Sequence, residues 1–141
     1  MAAYNKFQNF SEQLVNGVHN FSANTFKIYL SNTTPSASAD SVKADLPEIS
    51  AGNGYTAGGT ATTITVAEVT GTTTVSGTQV VFTASGGSIG PVQYVVVYNE
   101  STAADDLISW WDYGSALTLN DGETFTIKFS NTTPGAIFTL A

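Results

Sequence analysis

The sequence predicts a mainly β protein: an antiparallel β-sandwich of jelly-roll-like type with one N-terminal amphipathic α-helix. Three observations carry that expectation. Apolar residues recur at spacings of three and four only near the start, the period then falls to two, and short period-two segments follow one another between glycine-marked turns. The 141 residues suit one domain, with the helix over 5–21 and the sandwich over 25–141.

Phe7, Phe10, Leu14, Val18 and Phe21 form the helical stripe, with Asn5 placed to cap the start. Gln8, Glu12, Gln13 and Asn16 fill the polar face. Gly17 weakens the end, and His19 falls where a helix C-terminus favours a cation. So short a helix is marginal alone in water, so its phenylalanines are expected to lie on the sandwich or on a neighbouring subunit.

From Thr25 the alternation of Phe26, Ile28 and Leu30 with Lys27, Tyr29 and Ser31 reads as a strand. A Ser/Thr/Ala-rich loop follows, and one helical turn is expected within 41–49, before Pro47. The stretch 50–60, SAGNGYTAGGT, is too rich in glycine for a regular element, and Tyr55 is its only large side chain. Further strands are expected over 62–69, 72–75, 79–84, 92–98, 107–113, 116–119, 123–130 and 136–140. Asn120-Asp121-Gly122 reads as the turn of a hairpin joining Leu117 and Leu119 to Phe125, Ile127 and Phe129.

Phe26-Lys27-Ile28-Tyr29-Leu30-Ser31-Asn32-Thr33-Thr34-Pro35 is echoed by Phe125-Thr126-Ile127-Lys128-Phe129-Ser130-Asn131-Thr132-Thr133-Pro134. Either the chain is internally duplicated, or Asn-Thr-Thr-Pro is a good strand terminator used twice. The second reading is preferred, because proline fixes φ and withholds a ladder donor.

Composition narrows the function. Eleven acids face four lysines and no arginine, for a net charge of −7. This disfavours phosphate backbones and anionic membranes, so neither nucleic acid nor membrane is an expected partner. With no cysteine, thiolate metal sites, disulfides and cysteine nucleophiles are excluded. Met1 to Phe10 has neither the basic nor the apolar region of a secretory signal, so a soluble protein made in a cytoplasm is expected.

No constellation for catalysis stands out. His19 is the single histidine and has no carboxylate partner in sequence, so no catalytic residue is assigned and no enzyme is expected. Asp105 and Asp106, with Glu100 and Asp112 nearby, are the densest acidic group, but their spacing fits no calcium loop and they read as a solvated turn. No metal or cofactor is assigned. Five Asn-x-Ser/Thr triplets, at Asn9, Asn20, Asn32, Asn99 and Asn131, are what a chain rich in these residues yields by chance.

Two segments carry more apolar residues than one core face can take: Val92-Gln93-Tyr94-Val95-Val96-Val97-Tyr98 and Leu107-Ile108-Ser109-Trp110-Trp111-Asp112-Tyr113. Neighbouring side chains in a strand point to opposite faces, so Trp110 and Trp111 cannot enter the same one. One of them is covered by the helix, by a loop or by another chain.

The phrases MAAYNKFQNF, TFKIYLSNTTPSA, DLPEISAGNGYTAGG and VVVYNESTAADDLISWWDYG together resemble a family of small virion proteins of tailed bacteriophages, over nearly the whole chain. The resemblance implies a structural particle component, a capsid decoration or cement protein. Its partners would be copies of itself, as a homotrimer at local threefold positions, and the major capsid protein. Its place would be the capsid surface of a virion assembled in a host bacterial cytoplasm. The family brings no catalytic residues. Expected contact residues are Phe7, Phe10, Leu14, Tyr55, Trp110 or Trp111, with the glycine-rich 52–59 loop. A tail component, tube-associated or at the tip, and a carbohydrate-binding module built on Trp110, Trp111, Tyr113 and Asp112 are the alternatives.

Overall fold

A computed structural model describes residues 2–130 and 134–141. Its elements in chain order are β1 (Asn5–Lys6), α1 (Gln8–Val15), β2 (Phe26–Ser31), a 3₁₀ turn (Lys43–Asp45), β3 (Thr60–Thr62), β4 (Ile64–Val69), β5 (Thr72–Gly77), β6 (Val80–Thr83), β7 (Ile89–Asn99), β8 (Asp106–Leu119), β9 (Thr124–Ile127) and β10 (Gly135–Leu140). The strands form a five-stranded sheet of order β1-β8-β7-β2-β3, a three-stranded sheet of order β10-β5-β4 and a β6-β9 pair. All pairings are antiparallel. The mainly β class, the antiparallel sheets and the single helix near the N-terminus are as the sequence predicts. Among the described residues no helix is long and apolar enough to cross a membrane.

One core joins the sheets. Phe26, Ile28 and Leu30 of β2 meet Val95 and Val97 of β7, Val75 of β5, Val80 and Phe82 of β6, Ile127 of β9 and Ile137 of β10. A second, smaller cluster sits on the other face of the five-stranded sheet, where Tyr29, Val96, Tyr98 and Leu107 are covered by Phe7 and by Leu46. Strands β2 and β7 are therefore covered on both faces over most of their length, which is why the β7 sequence runs apolar through Val95, Val96 and Val97 rather than alternating.

The helix is shorter than the expected 5–21 span. Asn5 and Lys6 pair with Trp110 and Ser109 as a strand, so Asn5 caps nothing; Phe7 occupies the cap position with no side-chain bond. Gly17, at φ +76°, closes the other end, with the Val18 amide donating back to the Gln13 carbonyl at 2.9 Å. The phenylalanine stripe is accordingly divided: Phe7 enters the small cluster, Phe10 and Phe21 the main core.

Two turn expectations also change. Segments 107–113 and 116–119 are one strand, β8, which runs on through Gly114. Asn120-Asp121-Gly122 turns the chain, but it makes no hairpin: β8 pairs with β7 and β9 with β6. The turn carries the chain from one sheet to another, and the Gly122 amide donates to the Ala84 carbonyl at 2.8 Å. The expected helical turn within 41–49 is the 3₁₀ turn, held by the Asp45 carboxylate accepting from the Ser41 and Val42 amides. Of the two Asn-Thr-Thr-Pro turns, Asn131, Thr132 and Thr133 lie outside the described residues.

Candidate functional site

The surface of the fold is shaped by what the two tryptophans do. A bulge in β8 opposite Val97 and Tyr98 sets Ser109 against Val97, Trp110 against Val96 and Trp111 against Val95. Trp110 thus turns to the small cluster, its ring 4.6 Å from that of Phe7. Trp111 turns to the main core, 5.4 Å from Phe129 and 5.8 Å from Tyr4. Both indoles are half-buried, Trp110 beneath the segment entering α1 and Trp111 beneath the N-terminal residues and the end of β9.

Trp111 opens onto a shallow aromatic groove of about 210 Å³, shared with Tyr113, Phe125 and Phe129. Tyr113 is 53% exposed and stands edge-on to Phe125 at 5.5 Å. Asp112 takes no part in it. Its carboxylate accepts from Gln93 Nε2 at 3.0 Å and from the Gly114 amide at 2.7 Å. The aromatic-plus-carboxylate arrangement expected for a sugar site is thus not assembled.

A second, larger groove of about 590 Å³ runs between β1 and α1 on one side and β10 on the other. Phe10, Leu14 and Phe138 line it, Phe10 and Phe138 meeting edge-on at 5.5 Å. Val15 and Leu140 stand at its mouth, 87% and 57% exposed. It continues past Leu14 and Phe138 toward Val66 and Thr73 on the three-stranded sheet.

Of the contact residues expected from sequence, the two grooves bring forward Leu14 and Trp111. Phe7, Phe10 and Tyr55 are at most 2% exposed and fill the chain's own core, Phe10 also forming part of the floor of the larger groove. The 52–59 loop is exposed over most of its length, but Tyr55 and its C-terminal end are held against the body of the fold. A Cβ on Gly59 would stand 1.8 Å from the Ile28 carbonyl oxygen, so its missing side chain serves the approach of this loop to β2, not to another chain.

Two polar clusters hold these surfaces in place. Around Glu48, Lys43 Nζ donates at 2.8 Å, the Tyr55 hydroxyl at 2.9 Å and the Gly58 amide at 2.9 Å. Burial alone would raise the Glu48 carboxyl, but these donors and the lysine charge outweigh it and hold it below the ordinary glutamate value. Tyr55 in turn accepts from the Leu30 amide, and the Lys43 ammonium lies 5.0 Å over the Tyr29 ring. This is a staple tying the glycine-rich loop to β2. Both Glu48 oxygens and the Tyr55 hydroxyl are engaged in it.

The other cluster contains His19, which is buried, not exposed at a helix end. Asn99 Nδ2 can only donate, so His19 Nδ1 accepts from it at 3.0 Å. Nε2 therefore carries the proton and donates to Gln13 Oε1 at 3.0 Å, and Gln13 Nε2 donates to Asp106 at 2.8 Å. Burial lowers the His19 pKa against the opposing pull of Asp106. The ring is a neutral link between α1 and the start of β8. Sequence reasoning missed it because Gln13, Asn99 and Asp106 are far apart in the chain. The acidic residues act separately: Asp106 in this relay, Glu100 in an ion pair with Lys27 at 2.7 Å, and Asp112 with Gln93.

Comparison of the chain with protein-family models, with curated proteins and with solved structures finds no match. The functional reading therefore rests on the residues and surfaces themselves.

Proposed function

We propose that this chain is a non-enzymatic structural protein of a tailed-bacteriophage virion, a capsid decoration or cement protein. It would sit on the capsid surface, associate with copies of itself as a homotrimer and bind the shell formed by the major capsid protein. The sequence phrases that resemble such virion proteins support the reading. The observation that carries it in three dimensions is the groove of Trp111, Tyr113, Phe125 and Phe129: aromatic side chains supported from beneath, open to a partner, and of the type that anchors protein interfaces.

The mechanism is mass action. A protein that binds only the expanded shell stabilises it in proportion to RT ln(1 + [L]/Kd), and many weak contacts repeated on one lattice add avidity. No chemical step is needed, only a rigid body that presents the same surface at every lattice position.

The test is cosedimentation of the purified protein with shells assembled without it. Saturable binding that raises the shell's melting temperature, and that is weakened by Trp111→Ala, is the expected result. Failure to bind such shells overturns the capsid role. Immunogold label confined to the tail of intact particles would move the protein to the alternative, a tail component.

A further inference from the structure

The two outer edges of the three-stranded sheet differ in a way that suits them to each other. Among the described residues strand β4 is an edge strand, hydrogen-bonded only to β5, and after Ile64 every one of its residues is exposed. Val66 and Val69 are 40% and 67% exposed. Proteins usually protect such an edge with lysines, proline, a bulge or a covering loop. Here the ladder from Ile64 to Val69 is regular, contains no proline, and has a single charge, Glu68. At the opposite edge, β10 borders the 590 Å³ groove, whose far wall is β1 and α1. The groove thus lies between two strand edges, β10 of one sheet and β1 of another, above an apolar floor of Phe10, Leu14 and Phe138.

Among the described residues, Lys6 is the one charged side chain lining the groove, and its ammonium meets the Ser11 hydroxyl at 2.5 Å. Glu68 meets the Gly71 amide at 2.5 Å. Among the described residues neither is in an ion pair within its own chain. An uncapped, β-branched edge with one carboxylate and an apolar slot with one ammonium are complementary in shape, polarity and charge.

We infer that β4 of one copy inserts into the groove between β1 and β10 of a second copy, extending the three-stranded sheet across the subunit boundary with Glu68 facing Lys6. Val66 lies on the face of the sheet that continues the groove, so in the joined sheet it falls against the floor that Phe138 and Leu14 provide. The strand edges supply the backbone hydrogen bonds and the floor supplies the apolar burial. The contact is head-to-tail, since each copy gives one edge and receives another, and such contacts build closed rings when the rotation closes. This deepens the proposed role by naming the surface through which copies would associate.

The experiment is sedimentation-equilibrium analysis of the wild-type protein, Glu68→Lys, Lys6→Glu and the double reversal, each checked for an unchanged far-ultraviolet spectrum. Both side chains are exposed, so both single variants are expected to fold. The wild type is expected to form a closed oligomer. Each single reversal should raise the concentration for half-association about tenfold or more, and the double variant should return it toward the wild-type value. A wild type that stays monomeric, single variants that associate as the wild type does, or a double variant no better than the singles overturns the inference. Paired β4 edges around a twofold axis would give that last result. Shell binding is scored separately: a wild type that binds shells while staying monomeric removes strand insertion and leaves the capsid role, whereas oligomers that bind no shell do the reverse.

Discussion

Strands β7 and β4 are built from the same kind of residue and have opposite fates. Val95, Val96 and Val97 of β7 lie between β2 and β8 with both faces covered, none more than 5% exposed. Val66 and Val69 of β4 have one neighbour strand and stand in solvent. Intrinsic β-propensity does not distinguish them; the number of paired edges and covered faces does. The first region holds the molecule together, and the second is free to join it to something else.

The largest effect is expected where a side chain fills the shared core. Ile28→Ala, at a position with no exposed surface, should cost about 2–5 kcal/mol in a urea melt. Val66→Ala should change the same melt by no more than about 0.5 kcal/mol. Equal losses from the two substitutions would break the division between a binding edge and a structural centre.

Glu48→Gln comes next. It removes the partner of the Lys43 ammonium and weakens two further hydrogen bonds in a half-buried staple, at a cost of about 2 kcal/mol. Because the folded carboxyl titrates below its ordinary value of 4.5, its contribution is complete above that pH and is lost as the pH falls through the folded value. Urea melts in the acid range should therefore converge for wild type and variant. A constant gap down to the lowest pH would show that the carboxylate charge is not what Glu48 contributes.

His19 gives a second acid-sensitive step with its own window. Its folded pKa lies below the ordinary 6.5, so below that pH the unfolded chain takes up the proton first, and stability falls until the folded value is passed. Replacing His19 with Gln should remove this dependence. A slope that persists between neutral pH and the folded value would assign it to another group.

The smallest expected change is a gain. Ser109 is fully buried and its hydroxyl has no hydrogen-bond partner among the described residues, so Ser109→Ala should be neutral or stabilising by up to about 1 kcal/mol in a thermal melt. Destabilisation would mean that the hydroxyl has a partner after all, with bound water the first to look for.

Much of this division was legible in the sequence. The continuous apolar run Val92 to Tyr98 announced a strand covered twice, and the pair Trp110-Trp111 announced one aromatic on each face. What covers them was not legible, because Leu46 and Phe7 reach the small cluster through tertiary contacts alone. The helix was overextended because the apolar spacing of Phe7 to Phe21 fits one turn pattern throughout, while Asn5 and Lys6 were claimed by β8 and Gly17 ended the helix early. The hairpin was misread because Asn-Asp-Gly specifies a turn and says nothing of which sheet the next strand joins. Of the candidate surfaces, the sequence named Trp110 or Trp111 without saying which of them would line a groove. The groove beside β10 was not foreseen, since its walls come from residues 4–15 and 138–140, at opposite ends of the chain.

The central claim, that stability lies in the covered strands and association in the bare edge, is tested most directly by hydrogen exchange across a dilution series. Amides of β7 should be protected at every concentration. The outward-facing amides of β4 should gain protection only as the protein associates, and lose it again in Glu68→Lys. Protection of β4 that does not change with concentration, in a protein shown by its mass to be associating, would contradict the account.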